Sequence, residues 1–385
     1  MAKGPLYGVK VVELGGIGPV PFAGMLLSDL GADVVRVDRT VAGPFGTWSE
    51  PRFDVLARGR RSVAVDLKTE GGREAVLRIV ACADALIEGF RPGVAERLGL
   101  GPDDCLARNE RLVYGRMTGW GQEGPLAATA GHDIDYIAIT GALHAIGTAG
   151  GGPVTPLNLV GDFGGGALYL ALGVVSGILH ARASGRGQVV DAAMVDGAAS
   201  LMAAIYGAHA IGFWRDERGA NLLDGGAPFY RVYATADGRH VAVGAIEPQF
   251  YAALVRGLSL DEASLPGQLD RDCWGEVSER FAAIFRTRTR DEWCEVFAGT
   301  DACVAPVLSL AEAPNHAHAR ARRAFVEVDG VAQPAPAPRF SATECGRPAA
   351  PVRSGTHTRA VLAEVGYTAA EIDAMLQAGV IASAD

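Results

Sequence analysis

Two residues in this chain have the type and setting for proton transfer. His132 lies in Thr129-Ala130-Gly131-His132-Asp133-Ile134-Asp135-Tyr136, at the start of an expected helix. An imidazole changes charge near neutral pH, so it can take a proton in one step and return it in another. Asp162 lies in Val160-Gly161-Asp162-Phe163-Gly164-Gly165-Gly166, directly before a long apolar run. Glycines there let another group approach the backbone closely, and a helix start offers N–H donors where negative charge develops. Each residue also has a structural task open to it. His132 suits a cap or a packed polar position, and Asp162 suits the N-cap of the helix that follows. Taken together they fit carbanion chemistry better than hydrolysis. A proton next to a thioester carbonyl can be taken by a well-placed side chain if the enolate oxygen is stabilised.

The competing chemistries lack their residues. No G-x-S-x-G elbow marks an acyl serine, and the eight histidines form no HExxH. His316 and His318 have only Glu312 as a close carboxylate and no nearby thiol, so no metal site is expected. Gly15-Gly16-Ile17-Gly18-Pro19, with Asp38 ending the next apolar run, imitates a dinucleotide fingerprint. The spacing fails. A G-x-G-x-x-G frame begun at Gly16 puts Pro21 where close packing wants glycine, and Pro19 stiffens the turn. NAD and FAD are therefore not expected. Basic residues do gather after expected strands or in loops: Arg39, Arg58, Arg60, Arg61, Arg91 and Arg97. Guanidinium forks match phosphate oxygens, the alternative being a solvated arginine surface.

These groups need a scaffold. Five short apolar runs, mostly valine-rich, fall at 9–13, 32–37, 62–66, 83–88 and 111–116, with helix-compatible segments such as 22–30 and 71–81 between them. That alternation predicts an α/β fold with a parallel sheet covered on both faces. The run 163–179 contains five glycines and is expected as a fully buried helix, short of a membrane span. Residues 188–192 and an apolar stretch to about 210 extend the same domain. Composition shifts near 217–226. Beyond it, 229–235 and 239–246 flank Asp237-Gly238 as a hairpin, and polar amphipathic helices are expected at 274–285 and 289–298. Thr289 is placed to cap the second, with Asp291 and Glu292 in its first turn. A Pro/Ala-rich connector at 332–338 leads to a helical tail from Thr358, where Thr368 and Glu371 make a capping box. The division expected is a large domain over 1–215, a smaller α+β domain over 227–325, and a tail over 340–385 that returns to the large domain.

Bulk properties narrow the partners. The net charge of −9 over 385 residues gives no general attraction for nucleic acid or anionic lipid. An anionic ligand would need a local basic patch. Six cysteines without a CxxC pair point to reduced, mostly buried thiols in a cytoplasmic protein, and the first residues lack the apolar core of a signal peptide.

Several ordered motifs then carry a resemblance. They are Val11-Val12-Glu13-Leu14, Leu30-Gly31-Ala32-Asp33-Val34-Val35, and Asp84-Ala85-Leu86-Ile87-Glu88-Gly89-Phe90-Arg91-Pro92-Gly93. Met117-Thr118-Gly119-Trp120-Gly121, the His132 segment and Asp191-Ala192-Ala193-Met194-Val195-Asp196-Gly197 follow in order. On these the chain resembles the α-methylacyl-CoA racemases within the family III (formyl-CoA/carnitine-type) CoA-transferase superfamily.

The resemblance implies an interlocked homodimer, each chain threaded through the other, with a large Rossmann-like domain and a small one. It implies an acyl-CoA substrate and no separate cofactor. Arg39, Arg58, Arg60 and Arg61 would face the nucleotide phosphates. Ala57, Ile87, Glu88, Arg91 and Met117 would line the adenine, pantetheine or phosphate path. His132 and Asp162 would be the two proton carriers, and Glu247, in Gly244-Ala245-Ile246-Glu247-Pro248, would reach His132 across the dimer interface. The implied reaction is two-base inversion through an enolate held by N–H groups near the Asp162 helix start. Asp162 would then need an elevated pKa, and the acyl tail a loose apolar surface. A transferase of the same family would instead use Asp162 as the acyl-accepting nucleophile, with another residue, often tyrosine, in place of His132. A non-catalytic acyl-CoA-binding protein would need neither.

Overall fold

A computed structural model describes residues 4–41 and 50–384. The valine-rich runs form strands β1 (Lys10–Leu14), β2 (Asp33–Asp38), β3 (Arg61–Val65), β4 (Ala85–Glu88), β5 (Val113–Thr118) and β6 (Gln188–Ala193). All six are parallel, in the order β3-β2-β1-β4-β5-β6. β1, β3, β4 and β5 are almost continuously buried, as a sheet covered on both faces requires, whereas β6, at the edge, is exposed or half-buried over 188–191. Helix α1 (Pro19–Asp29) follows β1 and α2 (Glu70–Ala81) follows β3. Thr69 caps α2 by accepting the Gly72 N–H at 3.1 Å. Helix α3 (Asp133–Ala138) and a segment of wider turns, Leu159–Ala167, lead into α4 (Leu168–Ser184). Helix α5 (Met194–Leu201) comes directly after β6.

The chain forms two compact units. One comprises Met1–Thr140, Leu157–Leu201 and Ala317–Asp385, the other Gly141–Pro156 and Met202–His316. In the second, β7 (Tyr230–Ala234) and β8 (His240–Gly244) make the expected hairpin. It packs on α6 (Pro248–Gly257), α7 (Trp274–Phe285) and α8 (Arg290–Phe297) around Phe229, Tyr233, Phe281 and Phe285, and β9 (Val304–Pro306) joins the sheet. Thr289 caps α8 in a full capping box with Glu292.

The chain then re-enters the first unit. Strands β10 (Phe325–Val328) and β11 (Val331–Pro334) pair, followed by α9 (Thr358–Glu364), α10 (Ala369–Gln377) and β12 (Ile381–Ala382). β12 adds antiparallel to β3, so the tail is stitched into the main sheet. Thr368 and Glu371 form the capping box of α10.

Two expectations are corrected. Helix α4 is not fully buried. Leu170, Val174, Gly177, Ile178 and Ala181 face inward, and Gly173 and Gly177 let it lie close on β6 and β5. Leu168, Leu172 and Leu179 on its other side are 52%, 64% and 66% exposed. By length and composition alone, Leu159–Ser184 could cross a membrane. The cysteines are all free, but only Cys105 is buried, and Cys82 and Cys303 are exposed.

Candidate active site

A sheet of order 3-2-1-4-5-6 opens a crevice at the carboxyl ends of β1 and β4, where successive crossovers change direction. The turn after β1 brings Gly18 there and the turn after β4 brings Arg91. The Gly18 backbone, at φ 71°, abuts Asp162, since a Cβ at Gly18 would stand 2.8 Å from Asp162 Oδ2. Any larger residue would push the carboxyl away.

Asp162 is not an N-cap. It is the fourth residue of the widened segment, in which the Phe163 N–H donates to the carbonyl of Asn158, five residues back, at 3.3 Å. Such π-type turns displace one residue from helical register and recur at functional sites. Asn158 Nδ2 donates to Asp162 Oδ2 at 3.0 Å, and the Asp162 N–H donates to Asp133 Oδ2 at 2.6 Å. Phe163 stacks on Phe22 of α1, centroids 4.4 Å apart, pinning the segment to the helix that leaves β1. Burial pushes the Asp162 carboxyl above the usual carboxylate range, Asn158 opposes this by hydrogen bonding, the Asp133 charge adds to it, and His132 opposes it. His132 is thus within electrostatic reach of Asp162.

His132 is the N-cap of α3, as expected. Its backbone is held while its ring is left unused. The His132 N–H donates to Asp135 Oδ2 at 2.9 Å, and its carbonyl accepts from the Asp135 N–H at 2.9 Å. The imidazole has no hydrogen-bond partner among the described residues. Tyr136 braces the turn, donating to the Gly131 carbonyl and packing edge-on to Trp120 at 4.7 Å. Gly119 and Gly131 must be glycines because the Tyr136 ring occupies the place of their side chains.

The basic residues divide. Arg39 follows β2 at the carboxyl edge and Arg91 follows β4; both are exposed, and neither has an ion pair among the described residues. Arg58 and Arg60 depart from expectation. Arg58 is 2% exposed and grips Asp29 at 2.5 Å, Gln333 at 2.8 Å and the Pro334 carbonyl at 2.7 Å. Arg60 is buried against Glu13 and the carbonyls of Leu56 and Pro21. Arg61 begins β3, at the opposite edge of the sheet, and pairs with Asp33 and Glu364. All three guanidinium groups tie the chain together and none is free for a phosphate. Their neighbours, acids from β1, α1 and β2, become visible only once the chain is folded.

The expected ligand-path residues also turn inward. Ile87 and Met117 are core side chains between the sheet and helices α1 and α4, and Ala57 is buried as well. Glu88 is fully buried. It accepts the Phe90 N–H at 2.6 Å and pairs with Arg116 at 3.2 Å, shaping the turn that carries Arg91. Burial raises the Glu88 carboxyl to about 7, against the lowering effects of the Phe90 N–H and Arg116. Glu247, in the second unit, is the exposed N-cap of α6.

Sequence reasoning passed over Asp133, Asn158 and Gly18. Asp133 was within reach of it, as a second carboxylate adjoining the histidine; the other two declare themselves only through contacts made in the fold.

This geometry has relatives. A profile of CoA-transferase family III matches residues 6–358. A CAIB/BAIF family protein from Brucella suis superposes with a TM-score of 0.80 at 26% identity, covering 94% of this chain and 100% of that one. The α-methylacyl-CoA racemase of Mus musculus is 48% identical over 374 residues, 95% of each chain. The racemase of that name from Homo sapiens is 44% identical over 375 residues, again 95% of each. The fold and site therefore define a member of the family III CoA-transferase superfamily. Within it, the chain belongs to the α-methylacyl-CoA racemase family.

Proposed function

We propose that His132 and Asp162 are the two proton carriers of this enzyme, which racemises the α-carbon of 2-methylacyl-CoA thioesters. The observation that carries the assignment is the Asp162 carboxyl, held in a π-type turn beside Gly18 and pushed by burial toward its protonated form, with His132 in electrostatic reach. For one epimer, neutral His132 removes the α-proton while protonated Asp162 delivers one to the opposite face. For the other, protonated His132 delivers and ionised Asp162 removes. Between the two steps lies a planar enolate. Its oxygen needs donors other than the Asp162 N–H, which Asp133 already holds. Arg39 and Arg91, at the carboxyl edge, are the arginines we assign to the phosphates of CoA.

The exposed leucines of α4 support an obligate dimer, since a contiguous apolar face of this kind is normally covered. In that dimer the partner subunit's Glu247 pairs with His132 and orients its ring. Free thiols fit a reducing compartment, and we place the enzyme in the cytoplasm.

One assay tests the reading. A single epimer of 2-methylacyl-CoA is incubated with the enzyme in deuterated water, without any free acid. Racemisation gives α-deuterated thioester and both epimers. Transfer of CoA to an added carboxylic acid, with no α-exchange in its absence, would mean that Asp162 is instead an acyl-carrying nucleophile.

A further inference from the structure

Asp133 has no part in the two-carrier scheme, yet it is the side chain bonded to the backbone of one carrier and adjoins the other in sequence. It is 7% exposed. Oδ2 accepts the Asp162 N–H at 2.6 Å, and Oδ1 is buried with no hydrogen-bond partner among the described residues. No ion pair to Asp133 is found among the described residues. The fold makes room for it. A Cβ at Gly161 would lie 2.5 Å from Asp133 Oδ2, so the glycine before Asp162 is what admits the carboxylate. An anion in this setting is expensive unless it has a task.

We propose that Asp133 is a positioning residue for Asp162, clamping the amide of the proton carrier through Oδ2 and holding a fixed negative charge beside its carboxyl. The clamp takes up an N–H of the segment's first turn that has no acceptor within the segment, so the aim of the Asp162 carboxyl is set from the start of α3, where His132 is also presented. The two carriers are thereby held in one frame. The charge has a second effect: a like charge nearby disfavours ionisation of Asp162 and keeps it able to donate. The groups acting on Asp162 are few. Helix α3 supplies Asp133, His132 and Tyr136, with Arg91 acting on Tyr136 in turn. The segment itself supplies uncharged Asn158, the residue before α1 presents Gly18, and α5 brings Gly197 and Ala198, uncharged, against Gly165. This inference rests on Asp162 being a proton carrier.

The test is Asp133→Asn in the full-length protein, which keeps an oxygen for the clamp and deletes the charge. Two readouts are taken: the carboxyl titration of Asp162 by carbon NMR in the ligand-free enzyme, assigned with Asp162→Asn, and the pH profile of kcat/KM. The Asp162 midpoint should fall by about one unit, and the acid limb of the profile should move down with it. Binding of acyl-CoA should hold while kcat drops about tenfold or more. A folded variant whose midpoint and acid limb stay in place overturns the proposal. If Asp133→Asn does not fold, Gly161→Ala serves, because its methyl must displace the Asp133 carboxylate; a midpoint that stays put there is equally fatal. The NMR readout needs no turnover. A wild-type enzyme that fails to exchange α-protons would end the racemase mechanism while leaving the coupling of the two aspartates to be judged by titration alone.

Discussion

His132 and Asp162 differ in how the fold treats them, and the difference is what proton exchange in two directions requires. The exposed ring of His132 has no hydrogen-bond partner among the described residues and sits on a fixed backbone, while Asp162 is half-buried, and desolvation works against its charged form. Replacing His132 with alanine should leave acyl-CoA binding intact and lower α-deuterium exchange by about two orders of magnitude or more. Isothermal titration and exchange kinetics on the same sample would show whether the two effects separate. Glu88 supplies a prediction about stability. Its carboxyl sits at about 7 in the folded protein against an ordinary 4.5. A folded pKa above the unfolded one means the protonated form is favoured by folding. That stabilisation is complete below pH 4.5 and is lost as pH rises to 7, a change on the order of 3 kcal/mol. Urea denaturation across that window should show the decline, and Glu88→Gln should flatten it.

At the scale of elements, the site depends on how closely the Leu159–Ala167 segment meets α5. A Cβ at Gly197 would overlap the Gly165 carbonyl oxygen, and one at Gly165 would lie 2.5 Å from the Ala198 nitrogen. Backbone on backbone leaves no side chain to yield. Gly197→Ala should therefore cost about 1–3 kcal/mol in stability and lower turnover, because the shift passes into the turn that aims Asp162. Thermal melts and exchange rates would move together; a variant with wild-type melting and slow exchange would argue against the packing explanation. Proline has the converse role at α1. Pro19 and Pro21 remove two N–H groups from the helix start, which leaves it poorly suited to a pyrophosphate and free to seat Phe22 on Phe163.

At the scale of the whole molecule, the proposal is a dimer that does not come apart without unfolding. Leu168, Leu172 and Leu179 leave one flank of α4 apolar and open in the single chain. Leu172→Lys should then yield aggregated or inactive protein, whereas on a monomer the same change at a solvent-exposed site would be nearly neutral. Sedimentation equilibrium decides the matter directly: a wild-type monomer at micromolar concentration removes the dimer from the scheme. For a true dimer the melting temperature should also rise with protein concentration.

Periodicity carried much of this in the sequence itself. Valine-rich runs, several of them separated by helices, gave the first five parallel strands to within a few residues, because burial on both faces leaves little choice of residue. Thr289 with Glu292, and Thr368 with Glu371, marked helix starts because capping is local chemistry. Position in the fold was another matter. Nothing in the order of residues says that Arg58 would meet Asp29 and Gln333, that Arg60 would meet Glu13, or that Asp162 would sit inside a π-type turn fastened to Asp133. These pairings join residues up to 275 positions apart, and a charged side chain takes its role from whichever opposite charge or open solvent the folded chain brings to it. Local pattern chose the elements; tertiary contact decided which acids and bases were left to do chemistry.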